Sequence, residues 1–133
     1  MKPKIMYIEH KTGQSDRGQA WIGKVEFSKS GQTIYFNGQA FRKPTGFAFA
    51  YSESTNYNNI ETWEGYWISG VKKNGEDRHW AGGGKIMIDR NIVDEYLKSV
   101  SFNVLDKNHY ELVEIKPTDK SRFKEIDNTT LVE

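Results

Sequence analysis

Residues 61–89, E-T-W-E-G-Y-W-I-S-G-V-K-K-N-G-E-D-R-H-W-A-G-G-G-K-I-M-I-D, hold three of the four tryptophans and the densest mix of aromatic and charged residues in the chain. At their centre lies Asn74-Gly75. Asn-Gly favours a two-residue type I′ turn, which needs positive φ at both central positions. Ahead of it, Tyr66, Ile68 and Gly70 alternate with Trp67, Ser69 and Val71, as a strand with two distinct faces requires. The pattern predicts a hairpin whose return strand starts at Arg78, His79 and Trp80.

The same grammar recurs upstream. Residues 4–9 read as a strand with Ile5 and Tyr7 on one face and Met6 and Ile8 on the other. Two apolar faces predict a central or covered strand. Trp21, Gly23, Val25 and Phe27 alternate with Ile22, Lys24, Glu26 and Ser28. A tight turn with left-handed Gly31 then leads to a strand at 33–36, and Asn37-Gly38 is a second type I′ site before residues 39–41. Phe47, Phe49 and Tyr51 suggest another strand, followed by a polar loop, S-E-S-T-N-Y-N-N. Residues 85–89 form a strand candidate. Asp89 or Asn91 can cap a helix over 90–99, with Ile92, Val93, Tyr96 and Leu97 as its apolar stripe. Residues 102–105 and 110–115 are weaker strand candidates.

These elements predict a mainly β fold: a small, strongly bent antiparallel sheet or partly open barrel, with one short helix near 90–99. The alternative is an α+β layer in which the C-terminal segment adds a second helix. Residues 1–116 are expected to form one globular domain. Residues 117–133 read as a polar, partly mobile C-terminal tail.

A chain of 133 residues that is 36% hydrophobic and 14% aromatic can bury a core. The absence of cysteine excludes a disulfide framework and thiolate chemistry. No N-terminal apolar run suits a signal peptide or membrane span, so a cytoplasmic protein without membrane partners is expected. The formal net charge of +1 hides an asymmetry: residues 1–52 carry eight Lys/Arg against three Asp/Glu, and the remainder is net acidic.

Several motifs fail on spacing. The G-G-G-K run at 82–85 has His79 and Ile86 where a phosphate loop needs glycine and Ser/Thr, and Met87 breaks G-x-G-x-x-G. His10, His79 and His109 lack metal-ligand spacing, so neither a metal nor a cofactor is expected. No G-x-S-x-G elbow occurs, and the Asn128-Thr129-Thr130 sequon has no secretion signal beside it. Asp77 and His79 are weak acid–base candidates because no nucleophile is placed beside them.

These absences favour a binding or interaction module over an enzyme. An anionic, phosphate-containing or nucleic-acid ligand would meet Lys72, Lys73 and Arg78 for charge, and Trp67 and Trp80 for stacking. Lys24 and Lys29 would extend the patch if the two turns share one end of the sheet. Glu76 and Asp77 oppose it. Two alternatives remain. One is a hydrolase for phosphate-containing substrates, with Asp77, Arg78 and His79 beside Tyr66 and Trp67. The other is a protein-partner subunit using an aromatic sheet face.

Three segments carry a resemblance: I-M-Y-I-E at 5–9, I-G-K-V-E-F-S-K-S-G-Q-T-I-Y-F-N-G-Q-A-F at 22–41, and E-G-Y-W-I-S-G-V-K-K-N-G-E-D-R-H-W at 64–80. The chain resembles a family of small bacterial proteins with no established function over about residues 4–97. The family pattern is I-G-[RK]-V-x-F-S-K-[ST]-G-x-T-[IL]-Y followed by Y-W-I-S-G-x-K-[KR]-[DN]-G-x-D-R. Val71 stands where relatives often have proline, Asn37 where many have arginine, and His79-Trp80 also departs from the pattern. Some relatives bear the label 1-deoxy-D-xylulose-5-phosphate synthase. A thiamine-diphosphate enzyme of that kind is several times longer and needs a G-D-G start that is absent here.

Overall fold

The computed structural model describes residues 2–11, 18–43, 55–78 and 84–123. Their organising element is β1 (Lys4–His10), which pairs antiparallel with β2 (Ala20–Phe27) on one edge and with β6 (Gly65–Gly70) on the other. The sequence passes from β2 through β3 (Thr33–Phe36), β4 (Gln39–Arg42) and β5 (Tyr57–Asn59) to β6, each strand pairing antiparallel with the next. The β1–β2 pairing closes this meander into a six-stranded antiparallel barrel. Two further strands, β7 (Ile86–Asp89) and β8 (Tyr110–Val113), extend the sheet outward from β2 in parallel. Between them lie a 3₁₀ turn (Arg90–Ile92) and helix α1 (Val93–Ser99), as a parallel connection requires.

Closure is possible because β2 divides one edge between two partners. Glu26 and Phe27 pair with β3, whereas Ala20, Trp21 and Ile22 pair with β7. Alternation then sorts the apolar side chains into two layers. Ile8, Val25, Ile34, Phe36, Phe41, Tyr66 and Ile68 form the barrel interior. Tyr7, Ala20, Ile22, Ile86 and Ile88 face outward and are covered by Ile92, Tyr96 and Tyr110. Both faces of β1 are therefore packed, as its sequence predicts.

The turn chemistry succeeds at Asn37-Gly38, where φ values of 53° and 78° give the type I′ turn between β3 and β4. Gly31, at φ 78°, closes the β2–β3 turn through its N–H to Ser28 O. The turn at Asn74-Gly75 is different. Only Gly75 has positive φ, and its N–H donates to Lys72 O, so Lys73 and Asn74 are the central residues. Among the described residues no return strand pairs with β6 there: β1 and β5 occupy its two edges. Arg78 leads away from β6 instead, and His79 and Trp80 lie outside the described residues.

Other differences are local. Asp89 caps the helical segment as anticipated, accepting the Asn91 N–H at 2.9 Å, but the first turn is 3₁₀. Residues 102–105 form no strand. The expected strand around Phe47, Phe49 and Tyr51 falls outside the described residues. Within the expected polar loop lies β5, and the Asn56 side chain extends its ladder: Oδ1 accepts the Ile68 N–H and Nδ2 donates to Ile68 O, both at 2.8 Å. Downstream of residue 117, a 3₁₀ turn (Lys120–Phe123) seats Phe123, 2% exposed, against Tyr35 and Ala40. Among the described residues, no helix is long and apolar enough to cross a membrane.

Candidate ligand-binding site

The register of β1 decides where the charged turns meet. Lys4 pairs with Val25, and Met6 with Gly70, so β2 and β6 both finish at the end of the barrel where β1 begins. The Ser28–Gly31 turn and the Lys72–Gly75 turn follow directly. Thr33 pairs with Arg42, which brings the end of β4 to the same rim. Lys2, Lys4, Lys29, Lys43, Lys72 and Lys73 are all exposed there. Lys43 Nζ stands 5.9 Å above the Tyr57 ring.

Nearby carboxylates are engaged locally. Glu26 reaches Lys120 at 3.1 Å, and Asp89 caps the 3₁₀ turn. Glu76 accepts from Asn74 Nδ2 at 3.3 Å. Asp77 Oδ1 accepts the Lys72 N–H at 2.9 Å, which closes the loop and turns the carboxylate away from the rim. The loop is further held by the Ser101 N–H donating to Lys73 O at 2.7 Å. Like charges gathered on one rim produce a positive potential that concentrates anions.

Beneath that loop, in the layer between sheet and helix, lies a polar network. Arg78 is 3% exposed. Its Nη2 donates to Gly18 O at 2.6 Å, and Nη1 lies 3.9 Å from Glu9 Oε1. Glu9 Oε1 also accepts from the Tyr7 hydroxyl, and Oε2 contacts Lys11 Nζ at 2.7 Å. Burial, reinforced by the Glu9 hydrogen bond, holds the Tyr7 hydroxyl well above the usual tyrosine range. Burial also raises Tyr96 and Tyr110, whose hydroxyls lie 3.3 Å apart. The Asp77 charge adds to the raising of both tyrosines, and Asp77 is itself pushed up by burial, partly offset by its bond to the Lys72 N–H.

The expected site residues therefore separate. Lys72 and Lys73 are on the rim. Trp67 is half-buried and packs with the outer core layer, and Arg78 is committed to the interior. A buried guanidinium cannot reach a ligand at the rim, so Arg78 is not one of the rim cations. Asp77 is turned inward, and its expected partner His79, like Trp80, lies outside the described residues. Lys29 does join Lys72 and Lys73 because both turns share one end, whereas Lys24 is turned to Glu95 at 3.0 Å. Lys2, Lys4 and Lys43 were not legible as members, because only the long-range pairing brings them to the rim.

Among the described residues, His10 and His109 sit apart. His10 Nε2 contacts Glu64 at 3.0 Å and its ring stacks on Tyr66, while His109 contacts Asp106 at 3.2 Å. Burial, aided by the Glu64 charge, pushes the Tyr66 hydroxyl up to about 12. Among the described residues no three His, Asp or Glu side chains gather as metal ligands. Comparison with protein-family models, curated proteins and solved structures finds no match for this chain.

Proposed function

We propose that this chain is a non-catalytic binding module whose lysine-bearing barrel end takes an anionic polymer, with single-stranded nucleic acid as the ligand class. The observation that carries the reading is the convergence of Lys2, Lys4, Lys29, Lys43, Lys72 and Lys73 on one rim, where Glu26 is paired with Lys120, Asp77 is bonded to the Lys72 N–H and exposed Glu76 stands as the opposing charge. Lysines bind phosphate as point charges, so the backbone of the polymer is the contacted part and base identity matters little. The segments that resemble the small bacterial family supply both turns and the strand between them, and membership of that family is part of this proposal. The hydrolytic alternative has less support, because Asp77 Oδ1 is engaged by the Lys72 N–H.

Fluorescence anisotropy with a labelled single-stranded oligonucleotide tests the reading. Binding is expected at low salt and should weaken steeply at moderate salt as counterions compete. Lys72→Glu/Lys73→Glu and Lys4→Glu/Lys29→Glu should each weaken it by about tenfold or more. Equal affinity for wild type and both variants, or no binding at low salt, would remove the rim as a nucleic-acid site.

A further inference from the structure

The apolar interior of the barrel reaches the surface at the lysine-bearing end. Deep in the barrel, Ile8, Val25, Ile34, Phe41 and Ile68 are at most 2% exposed. Met6, Phe27 and Tyr57 pack against the same layer but are only half-buried. Each stands where its strand meets the rim. Met6 pairs with Gly70, the last residue of β6. Phe27 ends β2, directly ahead of the Ser28–Gly31 turn. Tyr57 opens β5, beside the end of β4.

Strand alternation puts cations on the edge of this apolar mouth. Lys4 shares the inner face of β1 with Met6, and Lys43, just beyond β4, shares that of Phe41. Lys43 Nζ lies 5.9 Å from the centre of the Tyr57 ring, and this lysine is exposed, so that ring face is turned toward solvent. Gly70 contributes no side chain, and a Cβ built there would point to within 3.9 Å of Lys4 Nζ. The mouth therefore stays open between Met6 and Lys4.

A polyanion bearing charge alone would use only the lysines. Flat apolar faces spaced along a phosphate chain would use the rings as well, and unpaired nucleobases are such faces. Building on the nucleic-acid reading of the rim, we propose that Phe27 and Tyr57 are base-stacking residues of that site. The phosphates lie on the lysines, and Lys43 exchanges the Tyr57 ring for a phosphate as a base takes its place. Stacking of this kind is tolerant of base identity.

The test compares, by anisotropy at low salt, a labelled oligothymidylate with an abasic oligomer of equal length and charge. Wild type should bind the oligothymidylate at least about fivefold more tightly, the contribution of one stacked base. Phe27→Leu and Tyr57→Leu, which keep an apolar contact with the barrel, should each reduce that preference without changing abasic binding. Tyr57→Phe, which keeps the ring, should retain it. Melting temperatures identify any variant that fails to fold, and the wild-type comparison decides the proposal without the variants. Equal affinity of wild type for the two oligomers would overturn stacking and leave the rim reading intact. A preference that survives both leucine variants would overturn the assignment to these rings. Binding of neither oligomer would remove the rim reading and stacking with it.

Discussion

Arg78 and Glu9 are 69 residues apart in sequence and meet only because the chain leaving β6 crosses the outer face of β1. Nothing local distinguishes Arg78 from its exposed neighbours Lys72 and Lys73, so its burial was not legible. Without Arg78, the buried Glu9 carboxylate keeps Lys11 Nζ at 2.7 Å but loses a second cation from a site shielded from water. Arg78→Met should cost about 3–5 kcal/mol in urea unfolding, and adding Glu9→Gln should recover much of it. A loss below about 1 kcal/mol in the single variant would show that the pair carries little.

Asp77 gives a pH-dependent counterpart. Its folded-state pKa is raised by burial, so its stabilising contribution is present when it is protonated and is lost as pH rises through the folded value. Asp77→Asn keeps an oxygen for the Lys72 N–H without the buried charge. It should be at least as stable as wild type at neutral pH, with the difference shrinking below the ordinary aspartate range. Thermal melts of both proteins across pH 3–8 (about five units, wide enough to span a raised carboxylate) check this. A variant less stable at neutral pH would show that the carboxylate's bond to Lys72 outweighs its desolvation.

Elements were legible where the signal was local. Gly31 and Asn37-Gly38 mark their turns because their backbone demands glycine or asparagine, and alternation marks β1, β2 and β6. The β5 strand was not legible, since Tyr57–Asn59 is pinned by asparagine hydrogen bonds rather than by apolar alternation. The parallel placement of β7 and β8 is likewise a tertiary choice.

Two substitutions test element docking. Gly75 has φ 74°, and an added Cβ would come within 2.3 Å of the Phe102 ring. Gly75→Ala should therefore cost about 2–4 kcal/mol through backbone strain and overpacking combined. Phe123→Ala should cost about 3–5 kcal/mol, because a buried aromatic is replaced by a void. Chemical denaturation reads both. Stability unchanged by Phe123→Ala would mean that residues 118–123 contribute nothing to the barrel.

For the molecule as a whole, the mainly β class, the bent sheet and the short helix near 90–99 were legible, because each rests on periodicity within ten residues. Closure was not, since it depends on β1 finding β2 and β6 at once. That closure also gathers the lysines. Charges scattered from Lys2 to Lys73 become one rim, while Trp63, Glu61 and Glu64 occupy the other end.

Amide chemical-shift mapping with a single-stranded oligothymidylate at low salt examines that arrangement most directly. The account predicts perturbations confined to residues 2–6, 27–32, 42–43, 57 and 71–76, fading as salt is raised. Perturbations centred on residues 37–38 and 60–64, or spread evenly over the barrel, would contradict it.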